Sequence, residues 1–274
     1  MTIQQAIQHG ERILQEKGVH QARWNSERLL LVALQESRSK IYAELTRDLT
    51  AQELSTFTAL LEKRAQHHPL AYLEGTQEFF GREFHVNESV LIPRPETEEL
   101  IHAVKNLPLK EKPVLLDLGS GSGSVAVTLA LEIKESFVVA LEISEKAISV
   151  IRRNQKGNVY VVRGDFLSLP FESSTFDVVA ANLPYVEQSD YENLPVETLW
   201  EPKIALFVEQ LEESYQRVMK QSTAVLKPGG YLVMEFGFGQ TERLKKMLPA
   251  KLTLLDIRKD QRNIPRVLVL QKSL

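Results

Sequence analysis

A short apolar run followed by closely spaced glycines limits the fold of this chain more than any other stretch. Residues 114–118 are Val-Leu-Leu-Asp-Leu, and residues 125–131 continue as an apolar helical pattern. A strand, a glycine-rich turn and a helix in this order bring the backbone close to a ligand. The G-x-G-x-G spacing differs from the G-x-G-x-x-G of dinucleotide-binding folds. The pattern predicts an α/β fold whose candidate ligand-binding turn contains Gly119, Ser120, Gly121, Ser122 and Gly123.

Two further predicted strands end in candidate binding residues. The strand over residues 137–141 ends at Glu142, which lies 23 residues past Gly119. A carboxylate at about this spacing can accept hydrogen bonds from two ribose hydroxyls. The strand over residues 159–162 precedes Asp165, which can accept from an adenine amino group, and Phe166, which can cover the ring. Each residue alone could be an ordinary strand end, but three in succession predict a nucleoside pocket.

A fourth apolar run, over residues 176–179, leads to Asn182, Leu183, Pro184 and Tyr185. Pro184 lacks the N–H that a central strand needs, so we expect Asn182 where the strand ends. An asparagine side chain provides one carbonyl acceptor, and the backbone carbonyl of residue 183 provides a second. Two convergent acceptors can hold an NH₂ group for attack. The four residues are therefore the candidate catalytic residues, although an ordinary strand-to-loop turn would explain the tetrapeptide alone.

The amino-terminal part predicts a separate helical bundle. Capping boxes begin at Thr2 and Thr50, and a further helix is predicted over residues 22–34. Residues 1–75 carry nine basic and nine acidic side chains, a balance that favours a protein partner over a nucleic-acid backbone. The bundle could instead only pack on the larger domain. We predict domains at 1–75 and 93–274, with a hairpin linker over residues 76–92.

The remaining segments complete the predicted catalytic domain. Arg94 and Pro95 belong to an extended Pro-Arg-Pro-Glu-Thr-Glu run, which is either a rigid linker or the border of a cleft. A helix is expected to begin near Glu96 or Thr97. Farther on, the pattern predicts a helix over 209–226, a turn over 227–230, and strands over 231–236, 252–257 and 266–270.

Composition excludes several classes of protein. The net charge of −3 argues against a broad nucleic-acid footprint, and the absence of cysteine excludes disulfides and thiolate metal sites. No signal pattern and no apolar run long enough for a bilayer are present, so we expect a cytoplasmic protein, which we take to be a monomer. His67 and His68 are adjacent and would point apart on a helix, so no metal site is expected. No His or Ser constellation supports hydrolysis.

These motifs together resemble the class I, Rossmann-like methyltransferases that use S-adenosylmethionine, and the Asn-x-Pro-Tyr element looks like that of amino methyltransferases. Three further stretches are similar to the PrmC/HemK family, which methylates the glutamine of the Gly-Gly-Gln motif in class I peptide chain release factors. They are residues 91–98, the Glu201-Pro202-x-x-Ala205-Leu206 element and the helix over 22–34. The resemblance covers nearly the whole chain.

The resemblance implies a role for each candidate. Residues 119–123 would admit the methionine part of S-adenosylmethionine, Glu142 would bind the ribose, and Asp165 with Phe166 would bind the adenine. Asn182 would also border the cofactor. Arg94 and Pro95, together with residues 182–185, would bind the substrate glutamine.

One departure from the family keeps other substrates open. The family normally has Asn-Pro-Pro-Tyr, whereas this chain has Leu183 at the second position, the form typical of rRNA adenine dimethyltransferases. The alternatives are therefore an rRNA adenine N6-methyltransferase or a methyltransferase acting on a ribosomal-protein glutamine. A nucleoside-binding regulator remains only if Asn182 is not needed for turnover. We expect glutamine, because a carbonyl at residue 183 does not require proline.

Overall fold

Five helices form the amino-terminal part of the computed structural model, which describes all 274 residues. In both predicted capping boxes the threonine hydroxyl accepts a hydrogen bond from the N3 backbone N–H, and the N3 side-chain oxygen accepts one from the threonine backbone N–H. Both predicted helix starts are confirmed. The helices are α1 (Ile3–Glu16), α2 (Ala22–Leu34), α3 (Arg38–Ala43), α4 (Ala51–Ala65) and α5 (Leu70–Glu74).

A distant segment of the chain belongs to the same unit as these helices. Met1–Thr76 groups with Pro195–Trp200, while Gln77–Leu194 and Glu201–Leu274 form the second unit. Arg64, which is almost fully buried, donates to Asn25 Oδ1 at 2.7 Å and to the Glu197 carboxylate. No pattern in the sequence indicates this association. His67 lies in the turn after α4 and not on a helix, which corrects the prediction made for it.

The second unit begins with a hairpin and contains a seven-stranded sheet. Strands β1 (Thr76–Phe79) and β2 (Arg82–His85) form the hairpin predicted for this stretch. The large sheet has the order β10-β11-β9-β6-β3-β4-β5. Its strands are β3 (Val114–Leu118), β4 (Phe137–Glu142), β5 (Val159–Arg163), β6 (Phe176–Asn182), β9 (Leu226–Glu235), β10 (Leu252–Lys259) and β11 (Pro265–Lys272). Two short strands, β7 (Val186–Glu187) and β8 (Phe207–Val208), pair with each other.

Six helices and three 3₁₀ turns complete the chain. The helices are α6 (Glu98–Lys105), α7 (Ser124–Glu132), α8 (Glu145–Asn154), α9 (Lys203–Leu206), α10 (Leu211–Val225) and α11 (Thr241–Lys246). The 3₁₀ turns are Pro95–Thr97, Gln188–Asn193 and Val196–Trp200. No helix has the length and apolar character needed to cross a lipid bilayer.

The sheet is parallel through β5, β4, β3, β6 and β9, and β11 pairs antiparallel to both β9 and β10. Two separate apolar clusters lie against it, one rich in α6 and α7 side chains and the other in α10 side chains. Strands buried on both faces read as continuous apolar runs, which is why the sequence predicts them well. The α/β architecture is confirmed.

The predicted turn over residues 227–230 is wrong. These residues lie inside β9, where Phe176 pairs with Leu226 and Val178 pairs with Tyr231. The extra residues form an irregularity in the ladder, and Gly229 adopts a φ of 77° there. A Pro-Gly-Gly sequence therefore marks a bulge that the strand continues through.

The close contact of α1 with α2 predicts that Gly10→Ala destabilises the helical unit. A Cβ at Gly10 would lie 2.3 Å from Ser26 Oγ, whose hydroxyl donates to the Ile7 carbonyl at 2.9 Å. Overpacking of this kind costs about 1–3 kcal/mol in the free energy of unfolding, and the better helix propensity of alanine offsets part of it.

Denaturant unfolding of the full chain measures this effect. The control is Gln8→Ala, an exposed position on the same helix, which should change the free energy of unfolding by less than about 0.5 kcal/mol. Adding Ser26→Ala to Gly10→Ala should recover part of the loss, because it removes the atom that the new Cβ meets. A Gly10→Ala protein as stable as the parent would contradict the proposed close packing.

Candidate functional site

A pocket opens at the carboxyl edge of the parallel strands, where the predicted site residues were expected. Six of the predicted residues line it: Gly119, Gly121, Glu142, Phe166, Asn182 and Pro184. The remaining wall comes from residues that the sequence analysis did not assign, including Val90, Leu91, Ser144, Ala147, Ile204 and Ala205. The pocket thus combines the ends of β3, β4, β5 and β6 with two connecting segments.

The glycine-rich turn forms one wall and is anchored to the neighbouring strand. The backbone N–H groups of Gly119 and Ser120 donate to the Leu141 carbonyl at 2.9 and 3.1 Å. Gly119 has a φ of 66°, and a Cβ there would lie 3.4 Å from Leu183 Cδ2 and 3.9 Å from Phe166 Cδ1. Glycine at this position keeps the space between the turn and the Phe166 ring open.

Three residues of the turn support its shape and do not line the pocket. The Ser120 hydroxyl donates to the Asp117 carbonyl, and Ser122 Oγ accepts from the Ser124 N–H. Gly123 precedes α7 with a φ of 81°, and a Cβ there would press on Ile151 at 3.1 Å. Their predicted contact with a cofactor stays a prediction.

Glu142 is the buried carboxylate of the pocket. Its Oε2 accepts from the Gly121 N–H at 2.8 Å and its Oε1 accepts from the Ser144 N–H at 2.9 Å. These two bonds fix the plane of the carboxylate and use one acceptor site on each oxygen, so each oxygen can still accept a hydroxyl. The side chain therefore braces the glycine-rich turn and lines the pocket with acceptor sites still unused.

The two residues predicted for adenine lie in different surroundings. Phe166 lines the pocket and packs partly against the apolar cluster beneath the sheet. Asp165 does not line the pocket, because its Oδ1 accepts from the Leu167 N–H at 2.8 Å and closes a local turn. The structure thus places Phe166 in the pocket wall and gives Asp165 Oδ1 a backbone partner, and their predicted contact with adenine stays a prediction.

Asn182 is the last residue of β6, and the nitrogen end of its side-chain amide is held by a hydrogen bond. Its Nδ2 donates to Thr97 Oγ1 at 3.0 Å, and its Oδ1 accepts no hydrogen bond within the chain. Leu183 is buried beside the glycine-rich turn, whereas Pro184 reaches the pocket wall. The Asn182 carbonyl oxygen is therefore free to accept a hydrogen bond, and its predicted catalytic role stays a prediction.

Tyr185 is not among the residues that line this pocket. Its hydroxyl lies 3.5 Å from Glu235 Oε1, and burial raises the pKa of Tyr185 above its ordinary value. Its backbone carbonyl accepts from Gln240 Nε2 at 3.0 Å. Tyr185 therefore stays neutral and fixes the direction in which the chain leaves Asn182.

Arg94 is held by a residue that the sequence analysis missed. The Arg94 guanidinium pairs with Oε1 of the buried Glu201, whose Oε2 accepts from the Ile92 N–H at 3.1 Å. Neither Arg94 nor Pro95 lines the pocket. The Glu201-Pro202 element was visible in the sequence, but its pairing with Arg94 joins positions that no local pattern connects. No group of three or more His, Asp or Glu side chains is arranged to hold a metal ion.

Residues 5–75 match the PrmC N-terminal domain, and residues 109–269 match a Methyltransferase domain. A "Release factor glutamine methyltransferase" of Koribacter versatilis (strain Ellin345) is 34% identical over 278 residues, covering 99% of each chain. A protein of the same name from Bacillus anthracis is 35% identical and covers 90% of each chain. The chain belongs to the release factor glutamine methyltransferase family.

A solved structure shares the fold of the second unit's sheet and helices with this chain. A methyltransferase from Pyrococcus furiosus, known from its crystal structure, superposes with a TM-score of 0.51 and 20% identity, over 72% of this chain and 91% of that one. This likeness concerns the fold alone.

S-adenosylmethionine is the methyl donor that the methyltransferase family implies, and the pocket residues fit it. The open space at Gly119 admits a chain that a Cβ would obstruct, and the unused lone pairs of Glu142 suit two ribose hydroxyls. The Phe166 ring provides an apolar wall for a base. These three features stand at the ends of three neighbouring strands, as a nucleoside with an attached chain requires.

The bonds of Glu142 predict that Glu142→Gln weakens S-adenosylmethionine binding. The amide places a donor where one carboxylate oxygen now accepts, and it removes the charge. Losing a charge-assisted hydrogen bond costs roughly 1.5–3 kcal/mol, which is about a 10- to 100-fold rise in Kd. Isothermal titration calorimetry measures it. The matched control Glu145→Gln, an exposed side chain three residues away, should bind as the parent does, and an unchanged Kd for Glu142→Gln would remove Glu142 from the site.

Proposed function

We propose that this chain transfers a methyl group from S-adenosylmethionine to the side-chain amide nitrogen of the glutamine in the Gly-Gly-Gln motif of class I peptide chain release factors. The observation that carries the proposal is the free carbonyl oxygen of Asn182 at the wall of a pocket that fits the methyl donor. The names of the full-length relatives support glutamine as the acceptor.

Orientation is the main contribution that the protein makes in this reaction. An amide nitrogen is a poor nucleophile because its lone pair is delocalised, and S-adenosylmethionine supplies an electrophilic methyl group. Asn182 Oδ1 and the Leu183 backbone carbonyl accept the two amide hydrogens and direct the nitrogen toward the pocket. Holding two reactants in a productive geometry can contribute up to ~7–11 kcal/mol.

Leucine at position 183 is compatible with this mechanism. Its side chain is buried against the glycine-rich turn, so the residue contributes to the site through its backbone carbonyl. Pro184 and Tyr185 shape the slot for the glutamine side chain. Arg94 and Pro95 border the substrate channel, with Arg94 held in place by Glu201.

The helical unit recognises the body of the release factor in this proposal. Its charges are balanced, and it exposes aromatic side chains at Trp24 and Tyr42, which suit a protein surface better than a phosphate backbone. The chain acts as a cytoplasmic monomer that contacts no nucleic acid directly.

Methyl transfer from labelled S-adenosylmethionine to purified acceptors tests the proposal. A class I release factor should be labelled, and the same factor with its Gly-Gly-Gln glutamine changed to alanine should not. Ribosomal RNA and ribosomal proteins serve as the rival acceptors. Labelling of RNA or of a ribosomal protein, with none of the release factor, would contradict the glutamine assignment.

Asn182→Ala should abolish methyl transfer while the Kd for S-adenosylmethionine stays within about threefold of the parent. The substrate amide loses an acceptor, and a misplacement of about 1 Å can reduce the rate 10²-fold. Asn182→Asp keeps the accepting oxygens and loses the donors to Thr97, so it should retain partial activity. Single-turnover rates and calorimetry separate the two effects, and a parental rate for Asn182→Ala would contradict the role of this side chain.

Leu183→Pro should keep glutamine methylation within about fivefold of the parent. Only the carbonyl at 183 is used, and the chain already leaves the strand there with Pro184 next. The same assay on the release factor measures it. Loss of activity on the release factor in a folded Leu183→Pro protein would show that the leucine side chain marks a different substrate.

A further inference from the structure

The proposed reaction requires one particular orientation of the Asn182 side-chain amide. The two ends of an asparagine amide have nearly the same shape, and only the carbonyl end can accept a hydrogen from the substrate amide. We propose that Thr97 is a positioning residue that holds Asn182 with its carbonyl oxygen toward the pocket, and that Glu235 orients the Thr97 hydroxyl. This inference rests on the proposed function.

The contact between Thr97 and Asn182 is direct and partly buried. Asn182 Nδ2 lies 3.0 Å from Thr97 Oγ1, and Thr97 is 3% exposed. The usual use of a threonine before a helix is to cap it, but the Thr97 side chain makes no capping bond to α6 and its backbone is helical. The hydroxyl is therefore available for the bond to Asn182 and not for capping α6.

The backbone around Thr97 holds it in place. Thr97 ends the 3₁₀ turn that begins at Pro95, and its N–H donates to the Arg94 carbonyl at 3.1 Å. The next residue, Glu98, accepts from the Phe80 N–H at 2.8 Å. A hydroxyl on such a restrained turn provides a fixed partner for Asn182, which sits 85 positions later in the sequence.

Glu235 decides the direction of the hydrogen bonds. It ends β9 directly opposite Asn182 in the parallel ladder and is 1% exposed. The Thr97 hydroxyl lowers the pKa of Glu235 against the effect of burial, and we assign its proton to the Glu235 carboxylate. A hydroxyl has one proton, so a Thr97 that donates to a carboxylate can only accept from Asn182. Asn182 must then turn its NH₂ toward Thr97 and its oxygen toward the pocket.

The protonation state of Glu235 thus controls the direction of the hydrogen bonds that link Glu235, Thr97 and Asn182. Burial raises the pKa of Glu235 to about 7, and its Oε2 has no hydrogen-bond partner. A protonated carboxyl can donate to Thr97, which frees the Thr97 proton to point at Asn182 and favours the reversed amide. The other ionisable groups around the carboxylate are Glu96, which raises its pKa, Arg266, which lowers it, and the neutral Tyr185 and Tyr215.

Thr97→Val tests the positioning role, since valine keeps the shape and removes the hydroxyl. We expect single-turnover methyl transfer at saturating acceptor to fall about tenfold or more, with the Kd for S-adenosylmethionine unchanged. Thr97→Ser should restore the rate to within about threefold of the parent. The matched control is Thr128→Val, another fully buried threonine, whose hydroxyl has no partner, and it should react as the parent does.

A folded Thr97→Val protein with the parental rate would overturn the proposal. The parent is measured on the release factor first. Absence of labelling by the parent contradicts the proposed function, whereas an active parent matched by Thr97→Val contradicts only the role of Thr97. The test of Thr97 is therefore the ratio of the Thr97→Val rate to the parental rate, measured on whichever acceptor the parent methylates.

The pH profile provides a second test that a purely structural threonine would not affect. The single-turnover rate of the parent should fall as the pH drops through about 7, because Glu235 then takes up a proton. Glu235→Gln should be slower than the parent at pH 8 and should lack this acidic limb. The role assigned to Glu235 would be overturned if Glu235→Gln showed the same fall in rate at acidic pH. It would also be overturned if Glu235→Gln reacted at the parental rate at pH 8.

Discussion

Parallel pairing of β6 with β3 on one side and β9 on the other is the constraint on which the candidate site depends. The ladder aligns Leu118 with Ala181 and Asn182 with Glu235, so three strands end at one edge within one or two residues of each other. The glycine-rich turn, the asparagine and the buried glutamate are therefore neighbours in space because of register, although they are far apart in sequence. A shift by one residue would turn each of these side chains to the opposite face of the sheet.

The same edge concentrates polar groups that would be unfavourable elsewhere in the core. Burial raises the pKa of Asp117 in β3 to about 7, as it does for Glu235, and each carboxylate has one oxygen without a hydrogen-bond partner. Unsatisfied buried carboxylates cost free energy and gather at functional sites. Asp117 lies two residues before Gly119, and Glu235 lies opposite Asn182 in the ladder. The apolar clusters on both faces of the sheet offset this cost.

The sequence predicted those parts of the structure that have local causes. The capping boxes, the buried strands and the glycine-rich turn each follow from residues within a few positions of one another, and all are present. The positions of Glu142 and Asn182 followed from strand ends. The roles of Thr97, Glu201 and Glu235 were missed, because each depends on a partner brought close only by the sheet. The 227–230 bulge was also missed, because strand pairing continues through a sequence that locally favours a turn.

The grouping of Pro195–Trp200 with the amino-terminal helices has a consequence for how this architecture could be shuffled between genes. The chain passes from one unit to the other three times, after residues 76, 194 and 200. Fusing the first 76 residues of one relative to the remainder of another would therefore give a hybrid unit, with Arg64 from one parent facing position 197 from the other. An exchange of the helical unit between relatives therefore has to carry residues 195–200 as well as residues 1–76.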